Sequence, residues 1–132
     1  MPELKIRTER KTQLVDLTAQ LEELGPLEGS LATLFVPHTT AGVLLQAVGE
    51  GATRLAGDIE AAFERLVDEG WPWGHVHEGD ANPWSHVRAA LTASSVSIPL
   101  VDGRLALGGH QAVLLAEFDG PRERTVHVAV TR

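Results

Sequence analysis

The sequence predicts a single, strand-rich α+β domain with two or three helices. Three observations point there: apolar runs of strand length recur along the chain, one long segment carries a helical repeat, and the C-terminal third alternates in strands joined by tight turns. At 132 residues, 43% of them apolar and 22% charged, the chain has the size and composition of one globular domain, so residues 1–132 are read as one unit.

Leu4, Ile6 and Thr8 alternate with Lys5, Arg7 and Glu9, the two-residue period of a half-buried strand. Leu14, Val15 and Leu17 predict a second strand. Thr18 then caps a short helix over Ala19 to Leu24, which Gly25-Pro26 stops. Ser30 to Val36 reads as a buried strand broken by Pro37, and Gly42 to Val48 as another after His38-Thr39-Thr40. Residues 52–69 form the clearest helix: Leu55, Ile59, Ala62, Phe63, Leu66 and Val67 recur at three- and four-residue spacing, and Gly70 ends it.

The stretch from Trp71 to His86 holds all three tryptophans and three of the six histidines among prolines and glycines. It is too rich in breakers to be regular and too aromatic for a floppy linker, so it reads as an ordered functional loop. Ser85 is the expected N-cap of a helix running through Thr92. Val96 to Val101 and Arg104 to Leu107 flank Asp102-Gly103, a two-residue hairpin signal, and Pro99 places its strand at an edge or a bulge. Ala112 to Phe118 is a central strand, Asp119-Gly120-Pro121 a turn, and Thr125 to Thr131 a last alternating strand.

Composition narrows the chemistry. Without cysteine there is no disulfide framework, thiolate zinc site or cysteine nucleophile, and any metal falls to imidazole and carboxylate. The net charge of −7 comes from interspersed residues with no basic stripe, so nucleic acid is not an expected partner. Met1 to Lys11 resembles neither an export signal nor a membrane span, and no later run is long enough to cross a bilayer, which makes the cytoplasm the expected compartment. No Gly-rich phosphate loop opens a helix, and no nucleophile elbow surrounds a serine.

The histidines are the strongest chemical signal. His38 follows a buried strand and sits beside the Thr39 and Thr40 hydroxyls, either as a site at a strand end or as a self-satisfied turn. His75 and His77 would face the same way in extended chain and could share a metal, or one ring could pack on tryptophan while the other meets solvent. His86, near a helix start, is disfavoured as a cation and suited to act as a ligand or base, with Asn82 and Ser85 beside it to hold a phosphate, or it is a capping-region histidine with no role. His110, next to Gly108-Gly109, fits a tight turn as well as a site, and His127 reads as structural. Asp58 borders the apolar stripe of the long helix, where a carboxylate can orient a histidine or simply be solvated. Arg122 and Arg124 could meet a phosphate or be surface charges.

Taken in order, His38-Thr39-Thr40-Ala41, Asp58, His75 with Glu78-Gly79, Asn82, His86, Ile98-Pro99, Asp102-Gly103-Arg104-Leu105, Leu107-Gly108, Gln111 and Glu117-Phe118-Asp119-Gly120-Pro121-Arg122 resemble the YjbQ family, also described as secondary thiamine-phosphate synthase enzymes. The likeness runs from about Lys5 to the C-terminus. It implies packed antiparallel sheets with a helical layer, a homotrimer, a polar pocket at or near subunit contacts, and a side activity that joins an aminopyrimidine pyrophosphate to a thiazole phosphate. Within it, His38, His75 and His86 would hold a divalent ion, zinc being the expected one. Asp58, Asn82, His86 and Gln111 would form the catalytic set, and Thr39, Thr40, Ser85 and Arg122 would meet a phosphate-bearing substrate. The chain departs from the family pattern at Gln46-Ala47, where Asn-Glu is common, and at His77 and His110. The expected function is a small-molecule enzyme with that synthase-like activity, assisted by a metal. Two other readings stand beside it: a trimeric binding module for a phosphorylated metabolite, and a metal-dependent hydrolase.

Overall fold

The computed structural model describes residues 2–47, 52–74 and 82–132. Its elements are strands β1 (Glu3–Arg7) and β2 (Gln13–Asp16), helix α1 (Thr18–Glu22), strands β3 (Leu31–Phe35) and β4 (Ala41–Ala47), helices α2 (Ala52–Leu66) and α3 (Pro83–Ala90), and strands β5 (Ser95–Val101), β6 (Arg104–Leu105), β7 (Gln111–Glu117) and β8 (Glu123–Thr131). Among the described residues, every strand pairing is antiparallel. One sheet runs β1-β8-β3-β5-β6 and a smaller one β2-β7-β4.

Alternation explains which faces meet. In β1, Leu4 and Ile6 point inward while Glu3, Lys5 and Arg7 are exposed. Leu34, Val126 and Val128 of the larger sheet join Val43, Val113 and Leu115 of the smaller one in one apolar core, so the two sheets pack face to face. β7 is central and buried from Ala112 to Glu117, hence its near-continuous apolar run. Helix α2 packs beside β2, and its Phe63 ring meets Phe118, just past the end of β7, edge to face at 5.0 Å. Among the described residues, no helix is long and apolar enough to cross a membrane.

Local chemistry moves several boundaries from their predicted places. Leu17, not Thr18, caps α1, and the helix ends at Glu22. Thr18 is its first residue: its N–H goes to Asp16 Oδ1 at 2.9 Å, and its hydroxyl accepts the Val113 N–H at 3.0 Å. Asn82, not Ser85, caps α3, with Pro83 in the first turn, where its missing N–H costs nothing. Ser85 lies inside the helix, completely buried, and donates to the Phe118 carbonyl at 2.7 Å. The hairpin forms at Asp102-Gly103 with positive φ at both residues (54° and 79°), the backbone of a tight two-residue turn, but β6 ends at Leu105.

The β4–β7 register determines which polar residues can be neighbours. Ala41 lies opposite Glu117 at one end and Ala47 opposite Gln111 at the other. Six strand steps separate these ends by about 20 Å. Residues that succeed one another closely in the motif series thus belong to opposite ends of one strand pair.

Candidate functional site

At the Ala41–Glu117 end, three chain segments converge. The β3–β4 connection contributes Pro37, His38, Thr39 and Thr40. The start of α3 contributes Asn82 and His86, and the β7–β8 turn with the first residues of β8 contributes Asp119, Arg122 and Arg124. Together they line a cavity of about 400 Å³. Asn82 and His86 stand four residues apart at the start of α3, a spacing that puts both on the same helix face.

His38 is half-buried and its state is determined by one bond. Its Nε2 accepts the backbone N–H of Thr125 at 2.9 Å. A ring nitrogen that accepts carries no proton, so the neutral ring carries its proton on Nδ1 and is a donor there. Burial, and after it the neighbouring Arg124 guanidinium, hold the imidazole below its usual range. His86 is half-buried in the opposite wall.

The back of the pocket is a buried polar network. Arg124 Nε donates to Glu117 Oε2 at 2.7 Å and Nη2 to Oε1, and Nη2 also reaches Thr40 Oγ1 at 2.7 Å. Thr8 Oγ1 donates to Glu117 Oε2 at 2.8 Å and accepts the Arg122 N–H at 2.9 Å. At the mouth, Arg122 folds onto Asp119 through Nε to the carbonyl at 2.9 Å and Nη2 to the carboxylate at 2.6 Å. Its side chain remains 55% exposed, and Nη1 is left as an unpaired donor among the described residues. Gly120 is required here: a Cβ would come within 2.2 Å of the Arg10 carbonyl and 2.8 Å of Thr8 Oγ1.

Two further features bear on a ligand. No acceptor among the described residues takes the backbone N–H of Thr39 or Thr40. Asn82 Oδ1 is buried and has no hydrogen-bond partner among them, a costly state for an acceptor unless something that enters the pocket donates to it.

His38, Thr39, Thr40, Asn82, His86 and Arg122, all singled out in the sequence, therefore share one cavity. Others do not. Asp58 is exposed on α2 and lines no part of it. Gln111 stands at the far end of β7, where its Oε1 accepts the Gly108 N–H at 2.8 Å beside a separate cavity of about 600 Å³. Ser85 faces the interior behind the site, and its hydroxyl is engaged by the Phe118 carbonyl. His75 and His77 lie outside the described residues. His127 stacks on Phe35 and approaches Glu3, a structural role, and His110 is exposed away from the pocket.

The expected zinc site needs His38, and the donor set does not suit an ion there: Nε2 is committed to Thr125 and Nδ1 holds the proton. Among the described residues, no group of three histidine, aspartate or glutamate side chains is placed to hold a metal. Arg122 at the mouth keeps Nη1 unpaired among the described residues, a charged donor that suits an anion better than a cation.

Sequence reasoning missed the importance of Glu117, Asp119 and Thr8. A usable signal existed for the first of these. Glu117 closes a run of buried apolar residues, and a charge in such a run must find a partner.

Comparison with known proteins identifies the lineage. The family model described as UPF0047 protein YjbQ-like matches residues 2–132. The chain belongs to the YjbQ-like UPF0047 family. A UPF0047 protein of Archaeoglobus fulgidus is 37% identical over 127 residues, covering 96% of this chain and 97% of its own. The UPF0047 protein YugU of Bacillus subtilis is 32% identical, with 95% and 94% covered. Among solved structures, a protein of Aeropyrum pernix K1 superposes with a TM-score of 0.88 at 36% identity, covering 99% of this chain and 98% of its own. A YjbQ/UPF0047 protein of Clostridium acetobutylicum superposes with a TM-score of 0.84 at 30% identity, covering 98% and 99%.

The fold of this YjbQ-like chain also places Gln46-Ala47. Both residues line a different cavity, of about 530 Å³, beside Arg10 and Glu60, at the end of β4 remote from His38.

Proposed function

We propose that the His38–His86 pocket takes a phosphate-bearing small molecule and that the chain is a cytoplasmic, homotrimeric transferase with thiamine-phosphate synthase-like side activity. The observation that carries this reading is the mixture of groups in one cavity. Arg122, the Thr39 and Thr40 N–H groups and the His38 Nδ1–H are donors for a phosphate, and Asn82 Oδ1 is an orphaned acceptor for a ligand amine. An aminopyrimidine pyrophosphate carries both partners.

In such a reaction the thiazole nitrogen forms the new C–N bond as the methylene C–O bond breaks and pyrophosphate leaves with the bonding pair. Arg122 and the loop N–H groups would receive the departing charge, which is where preorganised donors lower a barrier. His38, held neutral and in one tautomer, would orient the leaving group and would not act as base. Asn82 would hold the pyrimidine amine.

The test is calorimetric titration of the full chain with inorganic pyrophosphate and with thiazole phosphate, then a turnover assay with both substrates, each with and without chelator. Saturable binding and turnover that survive chelation support the reading. Binding without turnover identifies a binding module instead, and turnover abolished by chelation restores the metal-assisted mechanism. No saturable binding of either compound removes the proposal. Equilibrium sedimentation reads the trimer independently.

A further inference from the structure

Behind the pocket wall lies an ion pair almost cut off from solvent, with Glu117 0% and Arg124 5% exposed at the side chain. Glu117 accepts four hydrogen bonds: from Thr8 Oγ1, from the Asp119 N–H at 2.8 Å, and from Nε and Nη2 of Arg124. Only Arg124 of the two lines the cavity, and Glu117 stands behind it. Taking two charges out of water costs more than many such pairs return, and a well-packed apolar pair is often as stable. A buried pair at a pocket wall is therefore better explained by its effect on the pocket than by stability.

That effect comes from the bonding. Arg124 commits Nε and Nη2 to Glu117 and Thr40, and its charge faces a carboxylate in bidentate contact. Arg122, in contrast, is bound to a partly exposed Asp119, keeps Nη1, and stands at the mouth. We propose that Glu117 sets how strongly this pocket attracts an anion: its carboxylate neutralises Arg124 at the wall, so that Arg124 shapes the site and Arg122 meets the phosphate. The inference rests on the phosphate-binding reading of the pocket. A moderated pocket would release its pyrophosphate product, whereas two unmasked guanidinium groups in low dielectric would retain it.

The deciding experiment is calorimetric titration with inorganic pyrophosphate at fixed ionic strength, using wild-type chain, Glu117→Gln and the double variant Glu117→Gln/Arg124→Gln, with circular dichroism as the folding check. Glu117→Gln keeps the shape of the side chain and removes its charge. It is expected to tighten binding about tenfold, the scale of one uncovered charge near a bound anion at intermediate dielectric. A residue that only supported the structure would weaken binding when altered, so the sign separates the two roles. The double variant is expected to bind within about threefold of wild type, and it carries the test alone should Glu117→Gln fail to fold.

Equal or weaker binding by folded Glu117→Gln overturns the proposal, as does a loss of about tenfold in the double variant, which would put Arg124 itself on the anion. Binding by Glu117→Gln but not by wild type would support the neutralisation and sink the phosphate reading. Binding by neither would remove both.

Discussion

His38 Nε2 accepts the backbone N–H of Thr125 at 2.9 Å, tying the β3–β4 connection to β8 just past the β7–β8 turn. The bond fixes the tautomer of the ring, and burial with the adjacent Arg124 disfavours its protonation. Protonation must break the bond, which gives a pH signature. The folded-state pKa lies below the ordinary value of 6.5, so the stabilisation is complete above 6.5 and is lost as pH falls from there through the folded value. Urea unfolding across this range should show wild type losing stability where His38→Gln stays flatter. Parallel curves would refute the assignment.

Removing Arg122 separates binding from folding. Its side chain is half exposed, so Arg122→Ala should change stability by less than about 0.5 kcal/mol. Pyrophosphate affinity should fall about tenfold, the scale of a charge-assisted contact. Asp58→Asn and Gln111→Ala, which alter residues outside the cavity, should leave affinity within about twofold. Titration calorimetry distinguishes these cases, and a large loss in Gln111→Ala would mean that the far end of β7 contributes to the site.

Glu117→Ala should be among the most damaging single changes. It strands the buried Arg124, leaves the Asp119 N–H without its acceptor and leaves Thr8 Oγ1 only the Arg122 carbonyl at 3.1 Å. Breaking a buried pair from one side costs about 3–5 kcal/mol. For a domain of this size that is a fall of roughly 10–20 °C in melting temperature, readable by thermal denaturation.

Ser85→Ala tests the hydrogen bond that this residue makes inside α3. The loss of its 2.7 Å bond leaves the buried Phe118 carbonyl short of a donor, a cost of about 1–3 kcal/mol. Because the hydroxyl faces away from the cavity, pyrophosphate affinity should be unchanged. Weaker binding at intact stability would return Ser85 to the substrate.

The fold was readable where the chain's own periodicity carried it. Leu4 and Ile6 in alternation, the apolar run of β7, the Asp102-Gly103 turn and the stripe on α2 each follow from local rules about which face is buried. Helix starts were less readable, since Thr18 and Ser85 are good capping residues whose hydroxyls found long-range partners instead, Val113 N–H and the Phe118 carbonyl. Capping propensity is a local preference, and a buried backbone group in need of a partner outweighs it.

The candidate site divides along the same line. The sequence alone determined which residues are candidates for chemistry: His38 with its threonines, Asn82 with His86, and Arg122 after a turn, each recognisable by type and setting. Only the tertiary structure decided which of them meet. Antiparallel register sends Ala41 to Glu117 and Ala47 to Gln111, so His38 joins Arg122 while Gln111 is carried to the other end. It also brought Thr125 to His38 across 87 positions of chain, and that bond takes up the ring's Nε2. Periodicity encodes the face a residue turns to the core, but strand partners are chosen by the packing of the whole sheet, and no local pattern states that choice.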